Sequence, residues 1–177
     1  MSQKIVFMGT PEFSVPTLRS LLNSNHKVLT VYAQPARKAN RGQKVIPSKV
    51  EIFARKHSLN LRTPEHLDNE EEYNYLKKLK PDIGVVVAYG KIIPKSFLNL
   101  TKFGFINIHA SLLPKWRGAA PIQRSIMNLD NQTGISIMKI VEKLDAGPVM
   151  LQNKIKINEK TNFLSLSEVL SKLGANS

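Results

Sequence analysis

Residues Phe105 to Gln123 read Phe-Ile-Asn-Ile-His-Ala-Ser-Leu-Leu-Pro-Lys-Trp-Arg-Gly-Ala-Ala-Pro-Ile-Gln. This stretch begins with the alternation of a strand and breaks into a loop at Pro114. Because side chains alternate along a strand, Asn107 and His109 point to the same face, near the strand's carboxyl end. Ligands bind at that edge in open parallel α/β sheets, so an amide and an imidazole delivered there together are a candidate site.

The strand that begins at Phe105 is one of several that alternate with helical patterns. Ile83 to Ala88 is continuously apolar, which is typical of a central strand covered by helices on both faces. Other apolar runs predict strands over residues 5–8, 28–33, 59–62, 134–141 and 149–157. This order predicts one α/β domain with a Rossmann-like, mostly parallel sheet, helices on both faces and edge strands that can turn antiparallel.

Local signals set the expected ends of the helices. The first helix is predicted to follow Pro11, and the second to begin at Ser48. The third is predicted to run from a capping box of Asp68 and Glu71 to Leu79, and the fourth to span residues 120–129. The last is predicted to run from Thr161 to Leu173 and to end before Gly174. Pro11 suits a first helical turn, where its missing N–H would be unpaired in any case. The turn before it is either an anion site at a helix start or a plain strand-to-helix junction.

Composition narrows the class of protein. The 177 residues suit one domain with a sizeable core, and the absence of cysteine excludes disulfides and thiolate metal sites. No apolar run approaches the roughly 20 residues of a membrane span, and the first residues lead directly into a strand instead of a secretory signal. We therefore expect a cytoplasmic protein that does not contact membranes.

The net charge of +13 is unevenly distributed along the chain. Residues 14–49 and 83–129 contain no acid, whereas five of the thirteen acids lie between Glu65 and Glu72. Such asymmetry indicates a surface that attracts a polyanion through phosphate contacts, although a basic surface kept for solubility would look similar.

A long segment with little apolar content follows the second predicted strand. Gln34 to Pro47 is predicted to be a loop, and it carries Arg37, Lys38, Arg41 and Lys44 without a compensating acid. Loops of this length in compact domains tend to be functional or disordered. The segment is either an arm for a phosphate backbone or a solvated basic loop.

The residue types at the strand edge suit acyl transfer to an amine. Asn107 offers fixed N–H donors for an oxyanion, His109 can move protons near neutral pH, and Asp145, in the turn after a later strand, could complete the site. Ser111 lies near His109, but the Gly-x-Ser-x-Gly pattern of a nucleophilic serine is absent. The other histidines, His26, His57 and His66, lack metal-ligand spacing, so we expect no metal.

Two motifs resemble those of a known family, the folate-dependent formyltransferases. The first is Asn107-Ile108-His109 with the residues 111–118 that follow it, and the second is Leu144-Asp145-Ala146-Gly147. Flanking segments resemble the methionyl-tRNA branch rather than the purine or sugar branches: Met8 to Phe13, Gln34-Pro35 with Arg37, Arg41-Gly42, and Gly118 to Gln123. The resemblance covers essentially the whole chain, with departures at Ala36, Asn40 and Lys143.

The resemblance implies a formyltransferase fold, 10-formyltetrahydrofolate as formyl donor and the α-amine of initiator methionyl-tRNA as acceptor. Asn107, His109 and Asp145 would be catalytic. The implied folate-binding residues are Val87, Ala88, Tyr89, Gly90, Ser111, Leu112, Leu113, Pro114 and Leu144; those for tRNA are Arg37, Lys38, Arg41 and Lys44.

Residues 1–177 would form the catalytic domain, without the C-terminal barrel domain of the family, and we expect a monomer. Two alternatives stay open. One is a formyltransferase for a small amine such as a nucleotide sugar or glycinamide ribonucleotide, and the other is a weakly active tRNA-binding remnant.

Overall fold

The computed structural model describes residues 1–39 and 44–177, and a seven-stranded sheet forms its centre. The strands are β1 Lys4–Gly9, β2 Lys27–Tyr32, β3 Arg37–Ala39, β4 Lys44–Ile46, β5 Leu61–Arg62, β6 Ile83–Val87, β7 Phe105–His109, β8 Gln132–Lys139 and β9 Val149–Lys156. The helices are α1 Val15–Asn23, α2 Lys49–Lys56, α3 Glu70–Leu79, α4 Lys95–Leu98, α5 Pro121–Met127 and α6 Phe163–Ala175. This alternation confirms the predicted α/β class.

The strand order places a ligand crevice at the centre of the sheet. The order is β5-β2-β1-β6-β7-β8-β9; the first five strands are parallel, whereas β8 and β9 are antiparallel to their neighbours. The chain moves outward in one direction from β1 and in the other from β6. Ligands bind outside the carboxyl ends of strands at such a switch point.

Helices cover both faces of the sheet, as the apolar β6 predicts. Leu18 of α1, Phe53 of α2 and Leu170 of α6 pack with one face, whereas Leu76 of α3 and Phe97 of α4 pack with the other. Within the described ranges, none of the helices combines the length and apolar character needed to cross a bilayer.

Side chains alternate along β7, so its polar residues lie on one of these two faces of the sheet. Ile106 and Ile108 join the core beneath α1 and α6, whereas Phe105 joins the core beneath α3 and α4. Asn107 and His109 therefore share the face of Phe105 and continue it toward the carboxyl edge.

The segment from Gln34 to Pro47 is not simply a loop. Its ends form a short antiparallel hairpin in which β3 pairs with β4, with Arg37 opposite Ile46. The pairing is hard to see in the sequence because each strand has only three residues and the apolar Val45 and Ile46 are exposed instead of marking a buried face. Residues 40–43, which include Asn40 and Arg41, lie outside the described residues.

Three predicted helix boundaries are wrong by a few residues. The 3₁₀ turn Glu12–Ser14 follows Pro11, and Pro16 instead occupies the first turn of α1. Asn69, not Asp68, caps α3 by accepting from the N–H of Glu72. Asn162, not Thr161, caps α6 in a reciprocal capping box with Ser165.

The predicted end of α6 at Gly174 is also wrong, whereas the predicted Ser48 cap of α2 is confirmed. Gly174 lies inside the helix, where a Cβ atom would lie 2.8 Å from Ile108 Cγ2. The glycine therefore permits close packing of α6 on β7, and the helix continues past it.

Candidate active site

His109 lies at the end of β7 between two oxygen atoms from later parts of the chain. Its Nε2 is 2.9 Å from the Trp116 carbonyl oxygen, and its Nδ1 is 3.6 Å from Asp145 Oδ2. A carbonyl oxygen can only accept, so the Nε2–H of His109 donates to Trp116. Both side chains are largely buried. The structure thus brings together the histidine and the aspartate that the sequence suggested as partners.

Asp145 is held by one short hydrogen bond. Its Oδ2 accepts from the backbone N–H of Gly118 at 2.8 Å. Asp145 itself has φ +44° and Gly118 has φ +83°, so both turns use the left-handed region. A non-glycine residue there is strained, and such strain is concentrated at functional sites. These turns fix the carboxylate beside His109.

Asn107 presents its carboxamide on the same face, one alternation before His109. The residue is half-buried and pairs by register with Val86 of β6 and Met138 of β8. Within the described part of the chain, no side chain or backbone group hydrogen-bonds the carboxamide. Its N–H donors are therefore free for a bound group.

The loop after β7 wraps around the imidazole. Ser111 Oγ donates to the Lys115 carbonyl at 2.6 Å, so this hydroxyl is committed to the loop and does not form a pair with His109. The buried Ser136 hydroxyl of β8 donates to the Ser111 carbonyl and accepts from Leu113 N–H. These contacts hold the segment from Ser111 to Gly118 against the sheet.

A second polar group lies at the carboxyl ends of β1 and β6. The Tyr89 carbonyl accepts from Thr10 Oγ1 and Gln34 Nε2, both at 2.8 Å. Gly90 has φ +79°, and a Cβ atom on it would lie 2.1 Å from Gln34 Nε2. Glycine adopts this φ without strain, and a side chain here would displace the end of Gln34.

The predicted folate residues form two groups around this edge. Val87, Tyr89, Ser111 and Leu113 are buried, Leu112 is half-buried, and Ala88, Gly90, Pro114 and Leu144 are exposed. Burial of the Tyr89 ring, with the nearby Glu72 charge, raises the pKa of its hydroxyl above the usual range. That side chain belongs to the core, so only its backbone faces the crevice.

Of the predicted tRNA residues, Arg37 is the one whose side chain can be placed. It is exposed and donates to the Gln34 side-chain oxygen, which links it to the Tyr89 carbonyl. The backbones of Lys38 and Lys44 lie in the β3–β4 hairpin, and Arg41 lies outside the described residues.

Sequence reasoning missed three contributors to this edge: Thr10, Gln34 and Asp130. Asp130 is the first acid after the acid-free run of residues 83–129, which is a signal that could have singled it out. Thr10 and Gln34 come soon after β1 and β2, so their place after a strand was also a signal in the sequence. Among the described residues, no three histidine or acidic side chains form a metal-binding group.

Fold and site together define an open α/β domain with an acid–base pair at the carboxyl edge of its sheet. The chain belongs to the formyl transferase family, whose model matches residues 3–176.

Two relatives are both named methionyl-tRNA formyltransferase. The one from Pelagibacter ubique is 58% identical over 176 residues, which are 99% of this chain and 57% of that protein. The one from Coxiella burnetii is 49% identical over 175 residues, which are 99% of this chain and 56% of that protein. The chain therefore spans about half the length of the curated relatives it matches.

Solved structures show the same fold at low identity. A phosphoribosylglycinamide formyltransferase from Bacillus halodurans superimposes with a TM-score of 0.81 at 18% identity, covering 98% of this chain and 90% of that one. A formyltetrahydrofolate deformylase from Pseudomonas syringae gives 0.75 at 19% identity, covering 99% and 60%. These likenesses confirm the predicted formyltransferase fold.

Proposed function

We propose that the full-length protein transfers a formyl group from 10-formyltetrahydrofolate to the α-amine of methionine carried by initiator tRNA. The observation that carries this proposal is the meeting of His109 and Asp145, with Asn107 on the same strand face, at the edge of a formyltransferase-family sheet. The names of two relatives, at 58% and 49% identity, support methionyl-tRNA as the acceptor.

In the proposed reaction, a bond forms between the amine nitrogen and the formyl carbon, and the bond from that carbon to folate N10 breaks. The proton that the amine loses ends on N10. The folate supplies only the activated formyl group, so the protein must stabilise negative charge on the formyl oxygen and move one proton.

The three polar residues divide this work. The free N–H groups of Asn107 are suited to the formyl oxygen as charge develops on it. His109 Nδ1 lies 3.6 Å from Asp145 Oδ2, beyond hydrogen-bond distance, so this nitrogen is open to exchange a proton with the reacting groups. Asp145 keeps its second oxygen available to assist removal of the amine proton.

The proposed folate edge suits a flat, conjugated group. Ala88 and Gly90 expose backbone beside the crevice, and the glycine leaves no side chain in the way. Leu144 is 67% exposed, which leaves a large apolar side chain available for a ring. Ser111, Leu112, Leu113, Pro114 and Val87 would shape the edge, chiefly through the backbone.

An anionic acceptor agrees with the charges near this edge. Desolvation lowers the pKa of Lys91, whose Nζ donates to the Pro64 and Glu65 carbonyls, so this cation is already held by the protein. Arg37 is an exposed cation near the same edge. Arg37 opens the hairpin that carries Lys38 and Lys44, and Arg41 stands between those two lysines in the sequence. Together these residues are suited to tRNA phosphates.

We further propose that residues 1–177 act as the catalytic domain of a monomeric, cytoplasmic protein. The proposed acceptor is used in translation, which favours that location. Gel filtration of the full-length protein with light scattering would test its monomeric state.

The direct test is to incubate the full-length protein with formyl-labelled folate and charged initiator tRNA, and to follow label in formylmethionine. Absence of product at high protein concentration would overturn the proposal. Faster transfer to glycinamide ribonucleotide or a nucleotide sugar, with no competition from tRNA, would favour a small-amine formyltransferase. Salt-sensitive tRNA binding without any turnover would favour a binding remnant.

A further inference from the structure

We propose that Asp130 is a positioning residue for His109, acting through the side chain and the carbonyl of Trp116. The inference rests on the proposed function, because it concerns the imidazole that the proposed reaction uses. It adds to the three catalytic residues a group that touches neither the substrate nor the ring.

Asp130 holds the loop at the point where the loop meets the ring. Its Oδ2 accepts from the Trp116 indole N–H at 2.8 Å, and its Oδ1 accepts from Lys115 Nζ at 2.6 Å and Asn128 Nδ2 at 2.7 Å. The Asp130 N–H in turn donates to the Ser125 carbonyl at 3.0 Å, which fixes the aspartate to the end of α5. The Trp116 side chain therefore has an anchor outside its own loop.

This anchor matters because the Trp116 backbone is in a disfavoured conformation. Its φ is +59°, in the left-handed region that non-glycine residues rarely occupy without support from the surrounding structure. That backbone directs the Trp116 carbonyl to His109 Nε2 at 2.9 Å. Release of the indole would let the residue relax and move the carbonyl away from the ring.

The position of the Trp116 carbonyl decides which ring nitrogen carries the proton in neutral His109. A neutral imidazole has one N–H, but two acceptors face this ring: the Trp116 carbonyl at 2.9 Å and Asp145 Oδ2 at 3.6 Å. The nearer carbonyl holds the proton on Nε2 and leaves Nδ1 free on the Asp145 side. If the carbonyl moved away, the proton could move to Nδ1. In that tautomer Nδ1 already carries a proton and cannot accept another.

The charge state of Asp130 suits an anchor. Burial raises the pKa of its carboxyl, but the hydrogen bonds from Lys115, Asn128 and Trp116 outweigh burial and hold the pKa below its usual range. Asp130 therefore remains an acceptor on both oxygens at neutral pH.

The test compares Asp130→Ala and Trp116→Phe with wild type in the full-length protein. Trp116→Phe keeps an aromatic ring and removes only the indole donor, so it serves if Asp130→Ala folds poorly. Two-bond proton–nitrogen NMR, recorded above the usual histidine pKa and assigned with His109→Gln, reports the tautomer without substrate. We expect Nε2–H in wild type and a shift toward Nδ1–H in both variants, with kcat about tenfold lower and KM for each substrate within about twofold.

Asn128→Ala is the matched control, because it removes a bond to the same carboxylate but not to Trp116. It should keep the wild-type tautomer and kcat. The inference is overturned if wild type carries its proton on Nδ1, if both variants keep the wild-type tautomer, or if the tautomer shifts while kcat is unchanged. If wild type shows no formyl transfer, the proposed function fails, whereas the NMR result still decides whether Asp130 sets the tautomer.

Discussion

Glu72 and Asp145 are carboxylates that lie beside a basic side chain in different parts of the molecule, and their surroundings differ. Glu72, in α3, accepts from Arg62 Nε at 2.7 Å, Arg62 Nη2 at 2.6 Å and the Tyr32 hydroxyl at 2.9 Å. Asp145 has one short hydrogen bond, from Gly118, and its histidine partner is 3.6 Å away.

The contacts around Glu72 shift the pKa values of two of its neighbours. Hydrogen bonds from Arg62 to Glu72 raise the pKa of the guanidinium above its already high range, and burial with the Glu72 contact raises that of the Tyr32 hydroxyl. The Tyr32 hydroxyl and the Arg62 guanidinium, whose pKa values are both raised, therefore keep their protons at neutral pH. The loose His109–Asp145 pair beside a free Asn107 carboxamide can instead exchange partners, as a reaction requires.

The largest effect that this comparison predicts is on stability, at Glu72. Glu72→Ala should lower the free energy of unfolding by about 3 kcal/mol, because it leaves the buried Tyr32 hydroxyl without its acceptor and removes the buried partner of Arg62, which keeps only the exposed Glu71. Chemical denaturation followed by circular dichroism measures this change. Glu71→Gln is the matched control: Glu71 also accepts from Arg62 Nη2 but is 79% exposed, so we expect a change of about 1 kcal/mol or less. Equal losses in the two variants would contradict the division between the clusters.

Substitution of Asn107 is expected to lower activity instead of stability. Asn107→Ala should lower kcat by about 10²–10³-fold, which is the effect of losing one oxyanion donor, and should leave the unfolding midpoint nearly unchanged because the carboxamide has no partner in the described structure. Steady-state kinetics with both substrates and a thermal melt measure the two effects. Asn99→Ala, at an exposed position, is the control and should change neither. A variant with full kcat would remove Asn107 from the proposed mechanism.

The fold follows from the sequence wherever periodicity is strong. The apolar run of β6 predicted a central strand covered on both faces, and the alternation of β7 placed Asn107 and His109 together. The β3–β4 hairpin escaped prediction because each strand has only three residues, and the two apolar side chains of β4, Val45 and Ile46, are exposed, so no buried face marks them. The cap at Asn69 was missed because Asp68 offers an equally good capping side chain one residue earlier.

The candidate site was only partly predictable for a similar reason. Residue type and motif indicated His109 and Asp145, but their distance of 3.6 Å depends on the turn that returns Asp145 from β8. The Trp116 carbonyl is a backbone group, which carries no residue-type signal at all. The position of Gln34 after β2 is readable in the sequence, but the contact of its side chain with the Tyr89 carbonyl is visible only in the structure.

A smaller loss of stability is expected on substitution of Gly90, which lies at the proposed folate-binding edge. It is compared with Gly104, which lies in a turn away from that edge. Gly90 and Gly104 have nearly the same φ, +79° and +80°, but an added Cβ atom would lie 2.1 Å from Gln34 Nε2 at Gly90 and 3.1 Å from Lys139 Cε at Gly104. Gly90→Ala should therefore destabilise the protein by about 1 kcal/mol more than Gly104→Ala, because only the flexible end of the Gln34 side chain must move, and it should weaken folate binding. Unfolding curves and folate titration by fluorescence measure both. Adding Gln34→Ala should recover part of the loss, and no recovery would contradict the contact.

Asp130 is intermediate between Glu72 and Asp145. Its carboxylate accepts three hydrogen bonds, as that of Glu72 does, but it reaches His109 only through Trp116. It gives the smallest expected effect. Because its folded pKa is held below the unfolded value of about 3.9, the charged form stabilises the fold above that pH, and this contribution is lost as the pH falls through the folded pKa. Asp130→Asn should thus be less stable than wild type at neutral pH, and the gap should narrow in acid below about pH 4. Urea unfolding across this range measures the gap. A gap that stays constant in acid would mean that the Asp130 charge does not stabilise the loop.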